Sequence, residues 1–190
     1  KYCDAASVSA HKIGGLKGCG ALFLKKGIKI SPYIFGGGQE NGFRSGTENL
    51  VGIMGFAAAA DSWNKGKSER NSYILSLKKL LMETLKESFG NKISFNLPPK
   101  SVCSVLNFSL LGMKSETVIN GLSADGIYVS ASSACSTHAK ENRVLGAFGL
   151  SRAESGSAIR VGISYSNTEE EIRIFCQKLS EISEKLQKSY

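Results

Sequence analysis

The run from Ser9 to Gly20 constrains the fold most strongly, because it places one lysine directly before a glycine-dense turn. Four of the eight residues that follow Lys12 are glycine, and the apolar run Ala21–Leu24 comes next. Glycine permits tight turns, so the pattern predicts a lysine held at a turn before a strand. A lysine amine acts as a nucleophile only when it is deprotonated, and an aldehyde cofactor is the usual occupant of such a site. The alternative is that His11 and Lys12 are ordinary loop residues.

The bulk composition is that of a folded protein, with 42% hydrophobic and 21% charged residues in 190. This length suffices for one large domain or two small ones. No apolar run approaches the roughly 20 residues that cross a bilayer, so we predict no membrane association. The first residues lack a signal peptide. Because the chain begins with Lys1 rather than Met, we expect a fragment or a processed form.

The net charge of +8 raises the question of nucleic-acid binding. Most lysines are spread along helical stretches among glutamates, which favours a solvated basic face and predicts no direct nucleic-acid partner. The charge also suits an anionic ligand or an acidic protein partner. The five cysteines contain no C-x-x-C pair, so we predict free thiols and a cytoplasmic location. With only two histidines, no metal site is predicted.

The first part of the chain, up to residue 47, is predicted to consist of loops around the Gly20–Leu24 strand. Its segment Phe35–Thr47 is rich in glycine but also carries Phe, Arg and Glu, which is unlike a flexible linker. We expect this loop to approach a ligand or another chain. A helix follows, with Thr47 or Glu48 as its cap, and the best candidate boundary is Asn64–Lys67.

The second part is predicted to be an α+β unit of three or four strands with helices on one face. Periodicity predicts helices over residues 68–89 and 115–122, and strands over residues 93–95, 102–108, 127–129 and 158–163. The last helix is predicted to begin at Asn167, with Glu170 as the capping-box partner. Its buried stripe is predicted to be Ile172, Phe175, Leu179, Ile182 and Leu186.

Four segments carry residues suited to chemistry: Ser9–Lys12, Arg44–Asn49, Ser130–Thr137 and Ser157–Ser164. In this order they resemble the cysteine desulfurases of the class V pyridoxal-phosphate enzymes. The resemblance covers nearly the whole chain, but only the C-terminal half or so of such an enzyme. It implies an α/β fold of two parts. Residues 1–64 would be the end of the large, aspartate aminotransferase-like cofactor-binding domain, and residues 65–190 a small α+β C-terminal domain.

The resemblance implies that pyridoxal 5'-phosphate is the cofactor. Lys12 matches the family's Schiff-base lysine, which also shuttles the substrate α-proton. Ser9 and His11 match the contacts to the cofactor phosphate. Thr47 matches a residue that reaches the phosphate of the partner subunit's cofactor, which implies a homodimer. The alternative role for Thr47 is a helix N-cap.

Two further positions match the family's substrate chemistry. Cys135 matches the cysteine that forms a persulfide, whereas Cys103 and Cys176 are interpreted as buried inert thiols from their apolar neighbours. Arg160 matches the arginine that binds the α-carboxylate of L-cysteine, and its alternative role is an interface ion pair. The spacing from Cys135 to Arg160 resembles the subgroup that hands sulfur directly to scaffold proteins.

The implied reaction converts L-cysteine to L-alanine and passes sulfur from Cys135 to an acceptor or scaffold protein, for iron–sulfur cluster assembly or tRNA thiolation. Three alternatives stay open: a selenocysteine lyase, a class V enzyme without persulfide chemistry, and a non-catalytic dimerisation or docking module. The family's contacts to the cofactor ring come from the N-terminal half, so we expect these 190 residues alone to be inactive. Leu16 replaces the family's usual proline, which would loosen the turn or mark a divergent branch.

Overall fold

A computed structural model of the protein describes residues 3–131 and 143–188. The chain forms two compact units, Lys1–Lys67 and Ser68–Tyr190. The assignment of residues 1–64 and 65–190 to two domain types stays a prediction. No helix within the described ranges is long and apolar enough to cross a membrane.

The first unit is built on a two-stranded antiparallel sheet, in which β1 (Ala5–Ser9) pairs with β2 (Gly20–Leu24). The sequence predicted only β2, because the alanines and serines of β1 have little strand propensity and its pairing partner determines its conformation. The two strands approach closely at Gly20. A Cβ atom there would lie 2.6 Å from the carbonyl oxygen of Val8, so only glycine fits.

The helix α1 (Leu50–Lys65) follows the glycine-rich loop of the first unit. Asn49 is its N-cap, and the Asn49 side chain accepts a hydrogen bond from the backbone N–H of Gly52 at 3.0 Å. The predicted cap at Thr47 or Glu48 is therefore wrong, because the helix begins later and a better capping residue lies directly before it. Within α1 only Gly52 is buried, so the large apolar side chains of this helix are left at the surface of the unit.

The second unit contains a three-stranded antiparallel sheet with the order β3-β4-β5. Its elements are α2 (Lys67–Phe89), β3 (Ile93–Phe95), β4 (Val105–Leu110), α3 (Ser115–Ala124), α4 (Arg143–Ala147), α5 (Arg152–Gly156), β5 (Ala158–Gly162) and α6 (Glu169–Lys188). The strand predicted over residues 127–129 is wrong, because that stretch pairs with no neighbour. Only Ser130, just beyond it, forms a single bridge to Arg160.

The core of the second unit lies on one face of this sheet. Alternate residues of β4 point to it, and Leu106, Phe108 and Leu110 are almost completely buried there. Apolar residues of α2, α3 and α6 cover the same face. They include Leu77, Leu81, Leu85, Val118, Leu122, Phe175 and Leu179. The expectation that all helices lie on one face is wrong, because α4 and α5 contact the opposite face, which carries Asn107 and Ser109.

The C-terminal helix confirms its predicted stripe, with Ile172 and Leu179 buried in the core. Its start differs by one residue from the prediction. Thr168 Oγ1 accepts a hydrogen bond from Glu171 N at 3.2 Å, and Glu171 Oε2 accepts one from Thr168 N at 3.0 Å. The capping box is therefore Thr168–Glu171 rather than Asn167–Glu170, because the hydroxyl and carboxylate of this pair reach each other's backbone.

A buried lysine ties α2 to the segment before β4. Lys78 is only 4% exposed, and its Nζ donates hydrogen bonds to Ser101 Oγ at 3.1 Å and to the Val102 carbonyl at 2.9 Å. Burial lowers the pKa of Lys78, and an electrostatic interaction with the nearby Cys103 raises it in part. Burying the ammonium form therefore carries a cost that the two hydrogen bonds offset.

This cost predicts a pH dependence of stability. Because the pKa of Lys78 is lower in the folded state, the unfolded state binds more protons between that value and 10.5. The free energy of unfolding should therefore rise with pH through this window. Urea denaturation from pH 8 to 10.5 should show this rise in the wild-type protein relative to Lys78→Met, in which the titrating amine is gone. A constant difference between the two proteins across these pH values would contradict the prediction.

Candidate functional site

The predicted lysine lies in a short helical turn, Ala10–Ile13, that connects β1 and β2. The backbone fixes this turn firmly. Ala10 is fully buried, its N–H donates to the Cys19 carbonyl at 3.0 Å, and its carbonyl accepts from Gly15 N at 2.9 Å. Gly14 ends the turn in the left-handed conformation with φ of 89°. Lys12 thus projects from a rigid support.

The helix α1 packs against this connection through its glycines. A Cβ atom at Gly52 would lie 3.1 Å from Cys19 Cβ, and one at Gly55 would lie 3.3 Å from Leu16 Cγ. The absence of side chains at these two positions lets the connection that carries Lys12 approach the helix. Leu16, which stands where a proline was expected, gives the connection an apolar contact with α1.

Three of the predicted site residues lie together at this turn. Ser9 precedes it, and its side chain makes no capping hydrogen bond with the turn. His11 and Lys12 lie within the turn, and both are exposed. The turn and the residue before it therefore carry a hydroxyl, an imidazole and a primary amine within four consecutive residues. This donor set fits an anionic group linked to an aldehyde, because the first two can bind the anion and the amine can bond the carbonyl.

Thr47 lies in the same unit, at the end of the glycine-rich loop, and it is exposed. The loop is folded on itself: Arg44 Nη1 donates to the Thr47 carbonyl at 3.2 Å, and Ser45 Oγ donates to the Gly37 carbonyl at 2.9 Å. These contacts agree with the expectation that this segment is not a linker. Within the described part of the chain, no hydrogen bond joins the Thr47 side chain to Lys12.

Arg160 lies in the second unit, on β5, and lines a cavity of about 310 Å³. The walls of the cavity are largely apolar and include Leu97, Val102, Val105, Val144, Leu145 and Phe148. Arg160 is half-buried, and among the described residues no carboxylate forms a salt bridge with it. Among the described residues the cavity therefore presents a cation without a fixed counter-ion, which suits the binding of an anionic ligand.

Four polar residues form a row across the sheet beside this cavity. Arg160 exchanges both backbone hydrogen bonds with Ser130, at 2.6 and 3.2 Å, and pairs with Asn107 on its other side. Because its N–H and C=O both face Ser130, the Arg160–Asn107 pair is of the non-hydrogen-bonded type, which brings side chains closest. Asn96 N in turn donates to the Asn107 carbonyl at 2.9 Å. We refer to Asn96, Asn107, Arg160 and Ser130 as the polar row.

Comparison with known proteins identifies the family of this chain. Residues 2–175 match the family described as "Aminotransferase class-V". The chain belongs to the class V aminotransferase family. Members of this family are pyridoxal-phosphate enzymes, and the α/β fold expected from the sequence is confirmed by structural neighbours with the same fold.

Curated relatives of this class V chain are named cysteine desulfurases. The chain is 34% identical over 183 residues to "Cysteine desulfurase IscS" of Clostridium botulinum strain Hall, covering 94% of this chain and 46% of the relative. It is 33% identical to the protein of the same name from Methanosarcina thermophila, covering 96% of this chain and 45% of the relative. The chain thus spans about half the length of the curated relatives that it matches.

Solved structures of NifS-like proteins are also similar to this chain. A protein titled "NIFS-LIKE PROTEIN" is 37% identical, with a TM-score of 0.86 over 96% of this chain and 47% of that one. The NifS-like protein from Rickettsia africae is 30% identical, with a TM-score of 0.85 over 95% of this chain and 48% of that one.

Cys135 of this class V chain lies outside the described residues, and it follows Ser130 by five positions. Its role stays a prediction. Cys176 is 2% exposed, so the prediction that it is buried is confirmed, and burial raises the pKa of its thiol to about 12, which agrees with an inert thiol. Cys103 is only half-buried, and its thiol donates a long hydrogen bond of 3.6 Å to Asn71 Oδ1. The expectation that Cys103 is buried is therefore wrong, because the segment before β4 leaves one side of it open.

Proposed function

We propose that this chain is the C-terminal half of a pyridoxal-phosphate-dependent cysteine desulfurase. The protein would convert L-cysteine to L-alanine and hold the released sulfur as a persulfide on Cys135. The observation that carries the proposal is the Arg160 guanidinium, which lies in an apolar-walled cavity without a carboxylate partner among the described residues. The cysteine desulfurase names of the relatives support it.

The residues of the Lys12 turn fit the cofactor by their chemistry. Lys12 would hold pyridoxal phosphate through its amine, and Ser9 and His11 would donate hydrogen bonds to its phosphate, while Thr47 would reach the phosphate of the cofactor in the partner subunit. When bound, the cofactor supplies an electron sink for the charge that develops at the substrate α-carbon. The Lys12 amine would then remove and return the proton at that carbon. The rigid turn beneath Lys12 would keep this amine in position.

Arg160 would bind the α-carboxylate of L-cysteine. Its planar guanidinium can donate two parallel hydrogen bonds to a carboxylate, which fixes the orientation of the substrate as well as its position. The apolar walls of the cavity would strengthen this ion pair, because charges attract each other more strongly beside apolar surface than in bulk water.

The Cys135 thiolate would attack the substrate sulfur, so that a sulfur–sulfur bond forms as the bond from sulfur to the substrate β-carbon breaks, and the electron pair and a proton go to that carbon to give alanine. Cys135 follows Ser130 by five positions, and Ser130 is bridged to Arg160. Five residues span at most about 18 Å, so the covalent chain itself keeps the thiol near the carboxylate site. We expect the sulfur to pass on to an acceptor or scaffold protein in iron–sulfur cluster assembly or tRNA thiolation.

The surface of the first unit supports protein partners. Tyr33 is 94% exposed, Phe35 79%, Val51 72% and Met54 73%. Large apolar side chains at such exposure are typical of surfaces that another polypeptide covers. This agrees with a homodimer and with a longer protein whose remaining part packs on this unit. The free thiols among the described cysteines agree with a cytoplasmic location.

Substitution of Cys135 tests the proposed function. In the intact protein with its cofactor, we expect Cys135→Ser to lower alanine formation from L-cysteine by about two orders of magnitude or more, because serine cannot take up the sulfur. Cys103→Ser is the matched control and should retain activity. Mass spectrometry after incubation with L-cysteine should detect one added sulfur atom on the Cys135 peptide. Undiminished alanine formation in Cys135→Ser would overturn the persulfide role, and a preference for selenocysteine by orders of magnitude would indicate a selenocysteine lyase.

A further inference from the structure

We propose that Asn107 is a second anion-binding residue beside Arg160, and that Asn96 and Ser109 orient its amide. The ligand would be a small carboxylate with an apolar or short polar chain, such as the α-carboxylate end of an amino acid. The proposal deepens the proposed function and rests on it, since it assigns a further residue to the same substrate site. None of the four sequence motifs contains Asn107.

The orientation of the Asn107 amide follows from a chain of hydrogen bonds that begins at a backbone carbonyl. The Glu154 carbonyl can only accept, so the 2.8 Å contact with Ser109 Oγ requires the serine hydroxyl to donate. Ser109 Oγ must then accept from Asn96, whose Nδ2 lies 2.9 Å away. The second hydrogen of the same Nδ2 is donated to Asn107 Oδ1 at 2.8 Å. Each step fixes the polarity of the next.

This series of hydrogen bonds leaves the Asn107 amide with only one possible orientation. Its oxygen faces Asn96, so its Nδ2 faces away, and no acceptor in the described part of the chain takes the two hydrogens of that nitrogen. Ser109 is fully buried and Asn96 is 9% exposed, so water does not compete for these contacts. The amide is thus held by neighbours that are themselves fixed.

The Asn107 side chain lies next to that of Arg160 on the same face of the sheet. Asn107 and Arg160 are directly opposed in the closely spaced type of pair, and both line the cavity. The Asn107 amide nitrogen and the Arg160 guanidinium are both hydrogen-bond donors, so they cannot form a hydrogen bond with each other. None of the described residues that line the cavity is acidic, and Lys100 adds a third positive or donating group at its edge. An anion therefore satisfies both Asn107 and Arg160 at once.

A purely structural role for Asn107 predicts different behaviour of its variants. If the residue served only to accept the hydrogen bond from Asn96, Asn107→Asp would keep that bond and the shape of the side chain. If the residue binds the anion, Asn107→Asp replaces two donors by a negative charge beside Arg160. The aspartate should then be worse for anion binding than Asn107→Ala.

The test measures carboxylate binding directly in the intact protein. Propionate is titrated while nuclear magnetic resonance follows the side-chain amide of Asn107 and the Nε–H of Arg160. We expect both signals to shift with one dissociation constant. Asn107→Ala should raise that constant about tenfold, the effect of one hydrogen bond to a charged group, and Asn107→Asp should raise it further. Asn96→Ala should weaken propionate binding severalfold, because the Asn107 amide loses its orientation. If Asn96→Ala fails to fold, Ser109→Ala is used in its place.

The matched control is Asn120→Asp, the same change of side chain at an exposed position on α3, which should leave propionate binding unchanged. Equal propionate affinity of Asn107→Asp and the wild type overturns the proposal, as does an Asn107 amide signal that propionate does not move. Wild-type affinity in Asn96→Ala overturns the positioning role of Asn96. The assay needs no turnover, so an inactive protein that binds propionate as expected would refute the desulfurase activity and leave the role of Asn107 intact.

Discussion

Replacement of Lys12 by alanine is expected to abolish the conversion of L-cysteine to L-alanine by the intact protein. The substitution removes both the amine that would hold pyridoxal phosphate and the group that would move the α-proton. General acid–base catalysis alone contributes about 10²–10⁴-fold, so the combined loss should reach at least about 10³-fold. The measurement is alanine formation at saturating cofactor. Borohydride treatment followed by peptide mass spectrometry provides a second readout, since it links the cofactor permanently to the amine that holds it.

The matched control is Lys17→Ala, because Lys17 is an exposed lysine in the same β1–β2 connection. This variant should keep wild-type activity, and borohydride should still link the cofactor to the Lys12 peptide. The backbone of the turn is held by Ala10, Cys19 and Gly15 rather than by the Lys12 side chain, so Lys12→Ala should fold normally. Linkage of the cofactor to a different lysine in the wild-type protein would contradict the assignment of Lys12.

The sequence predicted the elements whose periodicity is long and strong. The helices α2 and α6 were found because their apolar residues recur at the helical period over many turns. Elements that depend on a distant partner were not found. The strand β1 exists only through its pairing with β2, and the stretch over residues 127–129 has strand-like residues but no neighbour to pair with. A strand forms only when a neighbouring strand pairs with it, and the local sequence does not contain that neighbour.

The candidate site also contains some residues that local sequence predicts and others that depend on distant pairing. The sequence motifs at Lys12, Thr47, Cys135 and Arg160 are local runs of residues, so a comparison of motifs could propose them. The role of Asn107 depends on the register between β4 and β5, and this register is invisible until the strands are paired. The alternation of polar with apolar residues over Leu106–Leu110 was the available signal, since it predicts a polar face of that strand opposite the core.

Replacement of Phe108 by alanine is expected to destabilise the second unit by about 3–5 kcal/mol, the cost of removing a buried aromatic ring. Phe108 is fully buried on the central strand, and its side chain belongs to the core that α2, α3 and α6 cover. Because a folded domain is stable by only about 5–15 kcal/mol, this is a large fraction of the total. Urea denaturation at neutral pH measures the effect. Tyr128→Ala, at a side chain that is 83% exposed, should change the stability by no more than about 0.5 kcal/mol.

The same substitution connects the core to the site. Phe108 and Asn107 are successive residues of β4, so they point to opposite faces of the sheet. Burial of Phe108 therefore fixes which face Asn107 occupies, and a slip of one residue would turn Asn107 into the core. We expect Phe108→Leu, which keeps an apolar side chain at this position, to lose less stability than Phe108→Ala and to retain propionate binding. Loss of propionate binding in a folded Phe108→Leu protein would show that the ring itself, rather than the register, positions the polar row.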